Sequence, residues 1–291
     1  MAASSTFGSS CDERRGVAGY RLLRLLGQGA HGSVFLADAG GHAVALKVLA
    51  LPLGDGFGLA CERFLASAAT ARRLVHPGIV AVLAAGVEGA NGWLAMEPVI
   101  GGDLGRHVRA GCLLPARGAL VAAHQLALAL ECAHRQGVVH RDLKPANVLI
   151  EPRDGSVKLA DFGLARAFDA EQSATGFVLG SPSYMAPEQL AGNVPTPQSD
   201  LYALGVMLFE LLTGRLPHEG SSMGELLRNV VSQPAPALGA LRPDLPAAVA
   251  AVVASLLAKG PAQRPASATA TAAALQSALL TLPEDGGAAP A

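Results

Sequence analysis

A chain of 291 residues exceeds one average domain, and at about 150 residues per domain it has room for two compact units. Hydrophobic residues make up 51% of it but aromatic residues only 4%, so a sizeable core must be built mainly from Ala, Val and Leu, and disorder throughout is excluded. Lys plus Arg number 22 against 23 Asp plus Glu, a formal net charge of -1, which lacks the basic excess of a bulk nucleic-acid binder.

Cys11, Cys61, Cys112 and Cys132 are widely spaced and form no C-x-x-C pair. Neither a disulfide framework nor a zinc site is indicated, and a reducing, cytoplasmic setting is expected. No apolar leader core occurs near the start. The strongest apolar stretches, 201–212 and 247–258, fall short of the ~18 residues that a span requires, so a soluble chain without a membrane segment is expected.

Residues 1–19, rich in Ser, Gly and charge, are predicted to be a flexible leader. Apolar runs at 20–26, 33–37 and 43–49, separated by glycines, predict an antiparallel meander. A Gly-rich connection at 52–58 precedes a helix predicted over 62–75, with Phe64, Ala68, Ala71 and Val75 at helical spacing. His76-Pro77-Gly78 ends it, and two more strands, 79–87 and 93–99, flank a loop at 88–92. Five strands and one crossing helix make a small α+β unit.

Beyond Gly101-Gly102 the pattern turns helical. One helix is predicted over 118–135 with Gly137 as its stop, another over 199–213 with Gly214 and Pro217 behind it. Pro234, Pro236, Pro243 and Pro246 punctuate a loop before an Ala-rich helix from Ala247, whose Val249, Val252 and Val253 are expected in the core. A disordered tail is expected at 283–291.

Gly27, Gly29 and Gly32 form G-x-G-x-x-G, a weak signal on its own. A dinucleotide-binding version must open a helix, yet Val34-Phe35-Leu36-Ala37 continues as strand, so a Rossmann assignment fails. What remains is a glycine-lined hairpin whose backbone can approach phosphates, with Lys47 on the next strand within reach of them. His31, at the tip, is read as a solvated turn residue.

The strongest signal is His140-Arg141-Asp142-Leu143-Lys144-Pro145-Ala146-Asn147, followed by the apolar triplet Val148-Leu149-Ile150. Asp142 offers a carboxylate to orient and deprotonate a hydroxyl, Lys144 can neutralise charge on a transferring phosphoryl group, and Asn147 supplies a hard oxygen for magnesium. Asp161-Phe162-Gly163 then places a second carboxylate that could hold metal against phosphates.

These motifs resemble the protein-kinase superfamily, and within it the bacterial eukaryotic-like (Hanks-type) Ser/Thr kinases. The resemblance implies an α+β, bilobal fold with a small, mainly antiparallel β lobe crossed by one helix and a larger, mainly helical lobe. Its boundaries would be 20–98 for the small lobe, 99–102 for a hinge and 103–282 for the large lobe, so that 20–282 is one kinase domain. Asp142, Lys144 and Lys47 would be catalytic. The nucleotide would be held by Leu26, Gly27, Gln28, Gly29, Ala30, His31, Gly32, Ser33, Val34, Ala45, Lys47, Glu97, Val99, Asp103, Asn147, Leu149 and Asp161. Of these, Asn147 and Asp161 would bind the metal, Mg2+ or Mn2+. Met96 would be the gatekeeper, the Glu97 carbonyl and Val99 amide would hold adenine, and Asp103 would lie near the ribose.

By the same likeness Met185-Ala186-Pro187-Glu188 would end the activation segment, Asp200 would brace the catalytic loop and Arg264 would pair with Glu188. Lys144 and Gly180-Ser181-Pro182 imply Ser/Thr rather than Tyr specificity, with the Ser181 hydroxyl bridging Asp142 and Lys144. Ser173 and Thr175 would accept activating phosphates that Arg141 could hold. The implied activity is transfer of the ATP γ-phosphoryl to Ser/Thr of proteins, with autophosphorylation in trans by a homodimer and without nucleic-acid partners. One departure stands out: the glutamate expected nine residues before the His76-Pro77 turn is Ser67. Glu62, five positions upstream, is rotated by about 500°, or about 140° net, and faces elsewhere. An ion pair between Lys47 and residue 67 is thereby lost, which raises an alternative: a nucleotide-binding pseudokinase or scaffold.

Overall fold

The structure is a computed structural model that describes residues 16–29, 32–54, 56–109, 111–162 and 182–283. The expected tail from 284, Cys11, Ala30, His31, Gly163, Ser173, Thr175, Gly180 and Ser181 lie outside the described residues. The chain divides into two compact units, one made of the chain up to Arg72 with Ala81–Pro98, the other of Arg73–Val80 and the chain from Val99 onward.

The first unit is an antiparallel sheet of six strands in the order β1-β2-β3-β4-β6-β5, formed by β1 (Gly16–Val17), β2 (Tyr20–Gly29), β3 (Gly32–Asp38), β4 (Ala43–Ala50), β5 (Val82–Glu88) and β6 (Asn91–Met96). Strand β1 falls in the stretch expected to be leader. Ala18 and Gly19 both take positive φ, 53° and 84°, the conformation of a two-residue hairpin turn whose twist matches the strands. An Ala at the first of those positions hides the turn from sequence. The Ala18 amide donates to Glu88 Oε2 at 3.0 Å, tying the β1–β2 turn to the opposite edge strand and curling the sheet. Ala37, Val44, Leu46 and Ala95 fill the concave face with Tyr20, Leu22 and Trp93 packed around them.

The crossing helix α1 spans Phe57–Arg72, not 62–75. Gly58 lowers the intrinsic helix preference of its first turn by ~1 kcal/mol, but burial of Ala60 extends the apolar row Phe64, Ala68, Ala71 backward by one turn and outweighs that cost. Val75 lies beyond the helix end and is 86% exposed; Leu74 is buried instead. The β5–β6 connection is tighter than the predicted 88–92 loop, a two-residue turn in which Gly89 has φ 58°. Ile79 is not in β5: it belongs to the second unit, where it bridges Leu159.

In the second unit the helices are α2 (Ala116–His134), α3 (Pro187–Leu190), α4 (Pro197–Thr213), α5 (Met223–Ser232), α6 (Leu238–Leu241), α7 (Ala247–Leu256) and α8 (Ala268–Thr281), with a small hairpin of β7 (Val148–Ile150) and β8 (Val157–Leu159). Every residue of α4 from Ser199 to Leu212 is buried, so the other helices are built around it. Pro197 suits its first turn, and Gly214 at φ 72° closes its end with a Gly214 N–H to Glu210 carbonyl bond of 2.7 Å. α2 packs on α4 and α8, and α7 on α4 and α8. The short α6 interrupts what sequence suggests is a plain proline loop, while α5 and α8 carry no sequence expectation at all. Val249, Val252 and Val253 are buried as expected. Among the described residues no helix is long and apolar enough to cross a membrane.

Candidate active site

The residues singled out from sequence fall into two groups, one in each unit. In the first unit Gly27 pairs with Val34, Gln28 with Ser33 and Gly29 with Gly32 across the glycine hairpin, and a register shift between Leu25 and Gly27 sets Leu26 in a bulge. The three glycines differ in what requires them. Gly32 has φ 116°, and a Cβ there would lie 2.2 Å from the Val48 carbonyl oxygen, so the fold itself demands glycine. Around Gly27 and Gly29 a Cβ would meet nothing within 4 Å, and neither has a positive φ. Their lack of a side chain serves no internal packing and leaves the hairpin backbone bare.

On β4, Lys47 pairs with Val34 of β3 and Leu94 of β6, while Ala45 pairs with Leu36 and Met96. Residues 45 and 47 therefore share one face, and Lys47 is buried, 6% exposed. Glu97 is held by two bonds to Ala81: its amide donates to the Ala81 carbonyl at 2.9 Å and its Oε1 accepts from the Ala81 amide at 2.8 Å. Trp93 packs against Tyr20 with the rings tilted by 58° and their centroids 5.5 Å apart, which accounts for it as a packing residue. On α1 Glu62 is exposed and Ser67 half-buried, as the rotation between them requires.

In the second unit Asp142, Lys144 and Asn147 converge. Lys144 Nζ donates to both Asp142 carboxylate oxygens, at 3.0 and 2.7 Å. Asn147 Nδ2 donates to the Asp142 carbonyl at 2.7 Å and to its Oδ2 at 3.0 Å. With its nitrogen so used, the amide oxygen of Asn147 is the end left for a cation. Ala160 is fixed from two sides, its amide donating to the Asn147 carbonyl at 2.9 Å and its carbonyl 2.9 Å from His140 Nε2. Asp161 follows directly with φ 65°, and Phe162 buries its ring edge-on against His140, centroids 4.7 Å apart. Oxygen donors from an amide and a carboxylate on adjoining loops suit a hard divalent cation.

This loop does not hold itself. Arg141 adopts φ 73°, a left-handed conformation costing a non-glycine residue ~1–2 kcal/mol. Asp200 of α4, 1% exposed, secures it: Oδ1 accepts from the Arg141 amide at 2.9 Å, and Oδ2 accepts from the His140 amide and from His134 Nε2, both at 2.8 Å. The bracing expected of Asp200 is thus observed; the His134 contact was not foreseen, and its only sequence signal is a histidine in the last turn of α2. A cavity beside the loop is lined by Arg141, Asp142, Tyr184, Met185, Gln189 and Asp200, among others.

Glu188 and Arg264 form the expected pair, two parallel bonds of 2.7 and 2.8 Å, with the Arg264 side chain fully buried. Burial alone would raise the Glu188 carboxyl, but Arg264, with help from the Glu188 backbone and the Ser199 hydroxyl, holds it below the usual carboxylate range. Sequence reading missed Tyr184 and Glu210, joined by a 2.5 Å bond in which burial keeps the Glu210 carboxyl raised. Asp103 caps the turn Leu104–His107 through the Gly105 amide and bridges Leu149. Just before it, the Gly102 carbonyl accepts the Ile150 amide at 2.8 Å, and Val99 is buried. Cys61, Cys112 and Cys132 are free thiols.

Residues 20–277 match the protein kinase domain family. Over 243 residues, 81% of the chain, it is 41% identical to serine/threonine-protein kinase PknJ of Mycobacterium tuberculosis, covering 41% of that protein. Over 238 residues, 79% of the chain, it is 40% identical to serine/threonine-protein kinase PknA of the same species, covering 54% of it. With serine/threonine-protein kinase PrkC of Bacillus subtilis it shares 36% identity over 233 residues, 79% of the chain and 36% of that protein. The chain therefore spans about half or less of the length of these relatives. Neither the geometry nor these likenesses favour the scaffold alternative that Ser67 raises. A curled antiparallel sheet unit, a helical unit and a match over residues 20–277 lead to one conclusion: the chain belongs to the protein kinase domain family, has its bilobal fold, and is akin to its bacterial Hanks-type Ser/Thr members.

Proposed function

We propose that this chain is a kinase domain, bounded by residues 20–282, that transfers the γ-phosphoryl of ATP to Ser or Thr hydroxyls of proteins. The observation that carries the reading is the Asp142 carboxylate, held between Lys144 and Asn147 on a loop that a buried aspartate braces. Asp142 would orient the acceptor hydroxyl and take its proton as the new O–P bond forms and the bond between the γ-phosphorus and the β,γ-bridging oxygen breaks, with ADP as the leaving group. Lys144 balances charge on the phosphoryl group and, by its position, favours Ser/Thr acceptors.

Family membership implies ATP and a divalent cation, which when bound supply the phosphoryl group and neutralise its charge. Asn147 and Asp161 would hold the cation, and their all-oxygen donor set favours Mg2+, with Mn2+ as substitute. The bare backbone at Gly27 and Gly29 suits close approach of phosphates, and buried Lys47 would pair with them. Leu26, Gln28, Ala30, His31, Gly32, Ser33, Val34, Ala45, Glu97, Val99, Asp103 and Leu149 would complete the nucleotide contacts. Ser173 and Thr175 are the proposed autophosphorylation sites, with Arg141 as phosphate partner and a homodimer acting in trans. Free thiols at Cys61, Cys112 and Cys132 support a cytoplasmic setting.

The test is transfer of radiolabelled γ-phosphate from Mg-ATP to the chain itself and to a generic Ser/Thr protein substrate. Labelling that vanishes in Asp142→Asn is expected; undiminished labelling in that variant, with contaminating kinases removed, would refute the assignment.

A further inference from the structure

In the second unit a buried histidine meets a half-buried lysine, two groups that the proposed phosphoryl transfer does not use. His218, 5% exposed, lies in the loop between α4 and α5. Lys259 Nζ stands 2.9 Å from His218 Nε2 and 2.6 Å from the Val230 carbonyl oxygen near the end of α5. A lysine ammonium only donates, so His218 must present a bare Nε2 and carry its proton on Nδ1. Two further charged groups lie close by, and they pair with each other. Lys259 lies 5.9 Å from the centre of the Tyr202 ring, Arg264 covers the same ring at 4.9 Å, and Glu188 is already engaged by Arg264.

α5 has few other anchors. Val230 is its one buried residue, and Asn229 Nδ2 donates to the Glu219 carbonyl at 2.7 Å. The loop is pressed onto the helix at Gly220, where a Cβ would lie 2.4 Å from the Leu226 amide nitrogen. Of the charged groups on this loop and helix, Glu225 is turned to the Ser221 amide at 2.8 Å, and Arg215, Glu219 and Arg228 are exposed. α5 also packs against α3 and the turn Pro182–Tyr184.

We propose that His218, Lys259 and the Val230 carbonyl form an acid-sensitive latch that fixes the C-terminal end of α5 to the helical unit. A second proton on His218 turns its acceptor nitrogen into a donor facing an ammonium 2.9 Å away, and the two cations must separate. Burial, with the Lys259 charge second, already holds the His218 imidazole down to about 4, and burial with Arg264 holds Lys259 down to about 8. The histidine is ordinary, near 6.5, once the latch is open. The closed state is therefore fully favoured above that value and loses its advantage as pH falls toward 4, while Lys259 stays charged throughout that window.

Hydrogen exchange of the α5 amides tests this, with intrinsic rates corrected for pH. With imidazole values of 6.5 open and about 4 closed, the opening equilibrium rises about thirtyfold between about pH 7.5 and about pH 5. That loss of protection is expected in Met223–Ser232 and not in α4, and His218→Phe, which puts an aromatic ring without a titratable nitrogen in place of the imidazole, should abolish this pH dependence. An unchanged α5 across the range, or the same pH response in His218→Phe, would overturn the latch. Should His218→Phe fail to fold, NMR titration of the His218 ring in the unaltered chain decides: a midpoint near 4 supports the latch, and one near 6.5 overturns it. None of these readouts depends on phosphoryl transfer.

Discussion

Asp200→Asn is a one-atom change with a computable consequence. The aspartate accepts three hydrogen bonds with two oxygens: Oδ2 from His134 Nε2 and the His140 amide, Oδ1 from the Arg141 amide. An asparagine keeps one acceptor oxygen, which satisfies the first two donors if placed at Oδ2, and sets an NH2 against the Arg141 N–H. A bond to a charged acceptor contributes about 1.5–3 kcal/mol, so losing one costs about 2–3 kcal/mol; Asp200→Ala, which orphans three buried donors, costs about 4–6 kcal/mol. The left-handed Arg141, itself strained by ~1–2 kcal/mol, then loses its anchor, and the neighbouring Asp142 drifts from its position. Urea denaturation should rank unaltered chain, Asn and Ala in that order, and kcat for phosphate transfer should fall by at least about tenfold in Asp200→Asn with ATP affinity little changed. A loss below about 0.5 kcal/mol for Asn, or an Ala variant no worse than Asn, would refute the reasoning.

Asp142→Asn should lower autophosphorylation by at least about a thousandfold while ATP binding, followed by calorimetry, stays within a few-fold. Arg264→Met removes one partner of a buried bidentate pair and should cost about 3–5 kcal/mol, a fall in Tm of ~6–20 °C by calorimetry, which Glu188→Leu in the same chain should partly restore. Because the folded state holds the Glu188 carboxyl below its ordinary 4.5, the pair's contribution is present above that pH and is lost as pH falls through the lower folded value; Arg264→Met should lack this part of the acid sensitivity of Tm. Gly101→Ala would set a Cβ 1.8 Å from the Ile150 carbonyl oxygen, and urea melts should show a loss of at least about 1–3 kcal/mol.

How much of this was legible in the sequence depends on the range of the forces involved. Local signals gave the central helix almost intact, because Pro197 at its start and Gly214 at its end act on backbone dihedrals within a turn. The catalytic run was legible for a similar reason: Asp142, Lys144 and Asn147 lie within six positions, and a single tight turn suffices to bring them together. Helix α1 was misplaced because its start is decided by burial of Ala60, a matter of what the helix packs against, and glycine at 58 argued locally the other way. The hairpin at Ala18-Gly19 was missed because its partner contact, Glu88, is 70 residues away.

The sequence by itself determined which side chains are available: the carboxylates, the amide, the lysines and the glycines whose chemistry suits phosphoryl transfer, and Ser67 where a carboxylate is expected. Tertiary structure alone decided which of them are held and by what. Asp200, 60 residues from His140, supplies the negative charge that keeps a strained loop in place, and His134 joins it from another helix. His218 and Lys259 meet across 41 residues in a site whose burial makes the charged form of each less favourable than it is in water. Desolvation depends on the whole surrounding shell of atoms, so it exists only once distant segments have packed, and no reading of neighbours along the chain contains it.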